Sequence, residues 1–425
     1  MNKIKWVAFQ PLTGGMYIGT EAAIGHPAEF ILTYKGLDVI TTKKDGTIGS
    51  VGNEAYLKNY LTEQGRMPDY YQIDRPMFDA CTTDLNPDIY LGNEKKTPDY
   101  TDIDLVVGVP VCSGLSMVTS AKDDTKNARN CNMVWMAHYT LNVIKPKIYC
   151  FENAPTLMGS RGEELRKIFE KMAKNAGYSV LYYKTDTLQH ENCQKRERTF
   201  VIFVKWQGEE AQLPPLFKFE DKKVSIQDFF NKIPEGLENM EPIKTSNHNY
   251  LVVDFIKEKL GNEWLDIIDG SLMHYMIANN LLDEFKEYVD KSTYEDDIKA
   301  KTIKYVNHII HKRSLGLNYY GDDICLCKKY FPSVQFRSMP NMLHPSGSRT
   351  CSIREFLTLM GMPYDFKWFG DSGNIPKIGQ NVPGNTAKFI AGNCLDILLN
   401  WNQERKTEGN VIFQNNINQQ IKVIE

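Results

Sequence analysis

What most restricts the fold of this chain is an alternation in its first two hundred residues. Short, wholly apolar runs are separated by segments with helical spacing. "KIKWVAF", "DLVVGV", "KIYCFENA", "YSVLYYKTD" and "RTFVIFVKW" read as strands. "GGMYIGTEAAI", "NMVWMAHYTLNVI" and "RGEELRKIFEKMAKNAG" read as helices, the last ending in a Gly where a C-cap belongs. Strands buried on both faces lose the in–out alternation of half-exposed ones, as these have. The pattern predicts an α/β fold, a mostly parallel sheet with helices on both faces. One stretch fits less well: "EFILTYKGLDVITTKKDGTIGSV" reads as strands joined by a turn at "KKDGT", so residues 30–68 are expected to be an insertion in a first domain spanning 1–206.

After Trp206 the alternation fades. Residues 207–343 mix Pro-bearing loops ("LPPLF", "KIPEG") with helical segments such as "LLDEFKEYVDK", which predicts a second, smaller domain. Residues 344–405 regain compact α/β patterning and are expected to rejoin the first domain. The Asn/Gln-rich tail, 406–425, reads as a peripheral strand or a partly ordered segment.

Composition mainly excludes. The N-terminal stretch has no apolar signal-peptide core and no run is long enough to cross a bilayer, so a cytoplasmic location without membrane partners is expected. Nine scattered cysteines suit reduced thiols. Cys325 and Cys327, the one close pair, lack a second pair at zinc-ligand spacing, so no metal site is expected. A net charge of −3 gives no hint of nucleic acid. A basic run that includes Lys312 and Arg313 nevertheless follows the acidic segment 283–297, and it fits either a solvated helix face or a surface that tracks phosphates.

Chemistry-bearing residues gather where strands should end, the edge at which open α/β sheets bind ligands. "DLVVGVPVCSGLS" carries a lone thiol, Cys112, into a loop with Ser116; by itself such a thiol suits a core position as well as a nucleophile. "CFENAP" places Glu152 and Asn153 at the end of a strand. "QKRER" sets Gln194, Arg196 and Arg198 on alternate residues, and so on one face. "TGGMYIG" is a glycine-bearing turn between the first strand and its helix, where a nucleotide-like cofactor would lie.

In order and spacing, the strand–Cys loop, the strand ending Glu-Asn and the Gln-x-Arg-x-Arg strand resemble the DNA cytosine-5 methyltransferase family. "RTCSIREFLTLMGMPYDF" and "IGQNVPGNTAKFIAGNCLDIL" resemble that family's last two motifs. The resemblance covers residues 5–29, 70–205 and 345–400 and puts 207–343 where the family carries its target-recognition domain. It implies a Rossmann-like sheet that uses S-adenosylmethionine to methylate carbon 5 of cytosine in double-stranded DNA, with no obligate protein partner, as in restriction-modification systems. Cys112 would add as a thiolate to carbon 6 of a flipped base, since carbon 5 is too weak a nucleophile unaided. Glu152, with Asn153 beside it, would present or share a proton at ring nitrogen 3. Arg198 would hold the exocyclic oxygen, and Arg196 would orient Glu152 or the Cys112 loop. For the cofactor, the resemblance implies Phe9 near the adenine, Gly14 and Gly15 admitting the methionine moiety, Gln72 and Asp74 at the ribose, Asp88 at the adenine amino group, and Asn381 and Val382 closing the site. Gln194, Ser116, Lys312 and Arg313 would face DNA.

Departures from the family concentrate on the cofactor side. Leu12 stands at the first glycine of the N-terminal turn, and Gln72 at a ribose-binding carboxylate for which Glu54 in "GNEAYL" is only a poor substitute. Val111 replaces the proline before the cysteine, Ser113 the glutamine after it, and Gln380 occupies an asparagine position. These changes leave open a catalytically impaired DNA-binding homologue, action on tRNA, or another one-carbon donor.

Overall fold

The computed structural model describes residues 3–77, 82–111, 115, 125–316, 323–334, 339–407 and 409–424, with 125–129 as backbone only. Cys112 and Ser116 lie outside the described residues. The chain forms two compact units, residues 1–223 with 359–425, and residues 224–358.

In the first unit β1 (Trp6–Phe9) leads through a tight turn into α1 (Gly15–Ile24) and then β2 (Phe30–Tyr34). A hairpin of β3 (Ile40–Thr42) and β4 (Ile48–Val51) follows, then α2 (Ala55–Glu63) and β5 (Asp69–Ile73). Next come β6 (Ile89–Leu91), β7 (Glu94–Lys95), β8 (Leu105–Gly108), α3 (Thr125–Tyr139), β9 (Ile148–Asn153), α4 (Glu163–Ala176) and β10 (Tyr178–Asp186). The two-residue β11 (Gln194–Lys195) and β12 (Glu197–Lys205) end this stretch.

The second unit is built mainly from helices: α5 (Ile226–Asn231), α6 (Asn247–Leu260), α7 (Trp264–Ile267), α8 (Leu272–Ala278), α9 (Leu282–Lys291), α10 (Asp296–Ser314) and most of α11 (Ile353–Leu359). It also holds the two-residue strands β13 (Gly270–Ser271), β14 (Cys325–Leu326) and β15 (Phe331–Pro332). Its core is apolar side chains at helical spacing, Leu251, Phe255, Met276, Phe285, Val306 and Ile309 among them. α11 starts in a capping box: Ser352 Oγ accepts from Glu355 N–H while Glu355 Oε2 accepts from Ser352 N–H at 2.7 Å.

The chain then returns with α12 (Gly384–Leu399), β16 (Val411–Asn415) and β17 (Gln420–Ile424). The large sheet runs β17-β16-β10-β12-β9-β8-β1-β2-β5-β6-β7. Strands β5, β2, β1, β8 and β9 are parallel, and β12 lies antiparallel between β9 and β10. β1, β8 and the first four residues of β9 are wholly buried. One face packs Val7, Phe9, Leu32, Tyr149 and Phe203 against α3 and α4 through Met133, Trp135, Phe169 and Ala173. α1 and α12 pack on each other. β1 lies between β2, which the chain enters next, and β8, which it reaches later from β7, so the strand order reverses at the carboxyl ends of β1 and β8, where open α/β sheets bind ligands.

Three sequence expectations change. Residues 30–68 are not an insertion: β2 is a core strand beside β1, buried throughout, and α2 follows as a helix of the same unit. Only the β3–β4 hairpin departs from the βα rhythm. The second unit begins at Val224, not at 207, and extends through Thr358 rather than 343. Residues 207–223 are an extended strap on the first unit, because amide side chains satisfy its backbone: Gln414 Oε1 accepts from Phe217 N–H, Asn393 Oδ1 from Lys218 N–H and Asn416 Oδ1 from Glu220 N–H. The tail joins the sheet, β16 parallel to β10 and β17 antiparallel to β16.

Candidate functional site

At the β8–β9 edge, register does the positioning. Gly108 at the end of β8 is paired with Phe151, so the chain leading to Cys112 leaves the sheet beside Glu152. Asn132 Oδ1 on α3 accepts from Val111 N–H at 3.0 Å and fixes the residue just before the cysteine. On the other flank β12 pairs with β9 so that Phe200 faces Glu152, and Arg198, two residues earlier, projects on the same side. Arg198 Nε lies 2.6 Å from Glu152 Oε1; the carboxylate is nearly buried and the guanidinium is one-fifth exposed. The strand edge therefore presents a fixed carboxylate–guanidinium pair with solvent access from the Arg198 side. Such a pair can grip a ring that offers one acceptor and one nitrogen.

The other residues of this edge are structural in their contacts. Asn153 is fully buried; its Nδ2 lies 3.2 Å from Met133 Sδ and its Oδ1 accepts from Ala154 N–H, so it shapes the strand end rather than facing the crevice. Arg196 Nη2 donates to the carbonyls of Gly379 at 3.0 Å and Asn381 at 2.9 Å, and its backbone N–H donates to Asp186 Oδ1. Its guanidinium thus ties the start of β12 to the loop before α12. Gln194 is fully buried, with Nε2 donating to Leu359 O at 3.0 Å; a polar side chain satisfied in the interior is not a surface contact for DNA.

The cofactor edge differs from expectation. Phe9 has no exposed surface, its ring enclosed by Tyr34, Trp135 and Tyr139, which leaves Gln10 rather than Phe9 at the turn. Gly14 has φ +110°, and a Cβ there would strike Leu57 of α2. A Cβ on Gly15 would overlap Val382 O and crowd Asn381 Oδ1, which accepts from Gly15 N–H at 2.8 Å. Both glycines are thus required by protein packing, and Asn381 and Val382 brace the start of α1. Gln72 and Asp74 lie on and just beyond the third strand, β5, not the strand beside β1. Gln72 Nε2 donates to Asp38 Oδ1, and Asp74 pairs with Lys35 at 2.6 Å. Asp88 is half-exposed and pairs with Lys95 at the sheet's outer edge. The residues at the end of β2 are Tyr34 and Lys35, neither of them a carboxylate, and the acid that reaches Lys35 is Asp74 from beyond β5.

Sequence reasoning missed Asn132 and the true place of Glu54. Glu54 is buried at the start of α2, accepting from Thr33 Oγ1 and Tyr70 O–H at 2.7 Å each. Those oxygens are committed inside the protein, so Glu54 is no ribose ligand. A Glu directly before an apolar helical run is a helix-start signal, but its partners come from two distant strands.

Lys312 and Arg313 sit in the last turn of α10, Arg313 exposed. Nearby charges are partly paired, as in Lys301–Asp297 at 2.6 Å. Among the described residues no group of three or more His, Cys, Asp or Glu could hold a metal ion, and no helix is long and apolar enough to cross a membrane.

This sheet order, with its antiparallel β12, is that of the Rossmann-like S-adenosylmethionine-dependent methyltransferases. Residues 77–396 match the sequence model of the family described as C-5 cytosine-specific DNA methylase, well over half of the chain, and the chain belongs to that family. It is 24% identical over 266 residues to the type II methyltransferase M.Sau96I of Staphylococcus aureus, a match covering 62% of this chain and 54% of that protein. With the type II methyltransferase M.XorII of Xanthomonas oryzae it shares 23% identity over 330 residues, 70% of this chain and 69% of that one. The chain thus matches only about half the length of M.Sau96I. A solved structure of a prophage-encoded E. coli protein, described as a DNA modification methyltransferase, superposes with a TM-score of 0.50 at 16% identity, covering 93% of this chain and 99% of that one, a likeness of fold.

Proposed function

We propose that this chain transfers a methyl group from S-adenosylmethionine to carbon 5 of cytosine in double-stranded DNA. The observation that carries the reading is the Glu152–Arg198 pair beside the strand that leads to Cys112. In this reading the Cys112 thiolate adds to carbon 6 of a flipped base, and the electrons arriving in the ring make carbon 5 nucleophilic. Glu152 meets ring nitrogen 3 and shares the proton that this addition requires. Arg198 swings from Glu152 toward the exocyclic oxygen, which its partial exposure permits. After transfer, a base removes the hydrogen from carbon 5 and the thiolate leaves, restoring the aromatic ring. Asn132 and Arg196 act at one remove, by fixing Val111 and the loop before α12. Lys312 and Arg313 offer charge to phosphates, and residues 224–358 serve as the target-recognition domain.

The cofactor edge fits a ligand that brings hydrogen-bond donors. Gln10 Oε1 is buried and has no hydrogen-bond partner among the described residues, an acceptor suited to an ammonium or amino group. S-adenosylmethionine would supply the electrophilic methyl; Gln10 and the turn up to Gly15 would hold it. The missing carboxylate at the end of β2 favours a second reading, a DNA-binding homologue that has lost the cofactor. A duplex containing 5-fluorocytosine separates the two. With S-adenosylmethionine present, wild-type protein is expected to become covalently attached to the duplex and Cys112→Ser is not. No adduct on mixed-sequence DNA, with DNA affinity intact, would leave the second reading standing. Bisulfite sequencing of DNA from expressing cells then reports the modified base and its context.

A further inference from the structure

The β3–β4 hairpin stands outside the βα rhythm of the first unit and buries little: β3 is exposed throughout, and Ile40 and Ile48 lie open to solvent. A two-stranded hairpin of this kind is marginal by itself. What holds it are hydrogen bonds to the far end of the chain. Asn374, 1% exposed, sits in the short helical turns of Ser372–Gln380. Its Oδ1 accepts from Val51 N–H at 3.0 Å and its Nδ2 donates to Gly49 O at 2.9 Å, both on β4. Lys377 Nζ donates to Val51 O and to Asn374 Oδ1, and Lys43 pairs with Asp371 at 3.0 Å. Just after β4, Asn53 Nδ2 donates to Gln380 Oε1 at 3.0 Å.

The same helical turns reach the turn between β1 and α1. Lys377 O accepts from Thr13 Oγ1 at 3.2 Å, and Asn381, the next residue after Gln380, accepts from Gly15 N–H at 2.8 Å. Gln10 and Leu12, in the same turn, each hold φ +52°, and strain of this kind persists only where surrounding structure over-determines it. We propose that the β3–β4 hairpin buttresses the cofactor turn, with Asn374 the positioning residue that transmits its hold through Lys377 and Asn381 to Thr13 and Gly15. The proposal rests on the reading that this turn binds S-adenosylmethionine. The chemistry is that of a primary amide, one acceptor oxygen and two N–H donors, which Val51, Lys377, Gly49 and Asp371 all engage. An aspartate would lose the donors and set its charge against Asp371. A leucine of similar volume would leave the buried Val51 N–H and Gly49 O without this partner, which is costly for interior backbone.

The test is calorimetric titration of the full chain with S-adenosylmethionine and S-adenosylhomocysteine, alongside amide hydrogen exchange without ligand. Asn374→Leu is expected to weaken both ligands about tenfold while turnover at saturating cofactor stays within about twofold. In an Asn381→Ala background the same change should cost at most about threefold, because the connection it acts through is already cut. Lys377→Met leaves the Asn374 amide in place and is expected to weaken both ligands about threefold; it carries the test should Asn374→Leu not fold. Exchange at Gly15 should quicken about tenfold in Asn374→Leu, with the core amides of Val201 and Ile202 unchanged. Unchanged affinity in the folded variant, a larger loss in the Asn381→Ala background, or equal acceleration at Gly15 and Val201 overturns the proposal. If wild type binds neither ligand, the cofactor reading fails instead. The buttress is then judged by exchange at Gly15 alone, where an unchanged rate sinks it.

Discussion

The two halves of the crevice are built on different principles. At the β9–β12 edge, Glu152 and Arg198 come from adjacent strands and meet directly, with their backbones in regular β conformation. At the β1–β2 edge, geometry depends on strained residues and a distant prop: Gln10 and Leu12 at positive φ, and Gly15 held by Asn381. An edge set by strand register tolerates change in surrounding loops. An edge set by props does not, since each prop must be buried and satisfied to work.

The largest expected difference between the edges is in stability. Glu54 titrates in the fold near 7, above its ordinary value of about 4.5. The fold thus favours its protonated form. Its contribution is fully present below about 4.5 and is lost as pH rises through about 7, a fall of ~3 kcal/mol. Denaturant unfolding at pH 4.5 and 8 should show this slope in wild type and lose it in Glu54→Gln; equal slopes would remove the buried charge from the account. Next comes chemistry at the base edge. Glu152→Gln should keep DNA and cofactor affinity and lower turnover ~100-fold or more. If cofactor affinity fell as well, the two edges would not be separate. The smallest effect is expected from Asn132→Ala, which frees Val111 N–H and should cut single-turnover rate about tenfold with cofactor affinity unchanged.

Much of the sheet could be read from the chain because buried parallel strands announce themselves as unbroken apolar runs, as "WVAF" and "LVVG" do. β2 also reads as a strand, but its place beside β1 does not: "FILTY" is equally apolar, and the exposed β3–β4 hairpin that follows dilutes the signal. The Asn/Gln-rich tail leaves a peripheral strand and a partly ordered segment both open in sequence; Gln414 and Asn416 are buried amides binding the 207–223 strap, a role fixed only by tertiary contact. Within the site, Glu152 and Arg198 were legible because strand spacing places them. Gln194 and Arg196 sit on the same spacing yet turn inward, since their partners, Leu359 and Gly379, arrive from the far end of the chain. Left-handed Gln10 and Leu12 carry no glycine to mark them.

The hydrogen bond from Gly15 to Asn381 joins residues 366 positions apart. During synthesis, then, the pocket's floor emerges from the ribosome long before its clasp. A nascent chain stalled anywhere short of that asparagine has the Glu152–Arg198 pair but not the residue that braces Gly15. The start of α1 is therefore braced only once the last part of the first unit has been made.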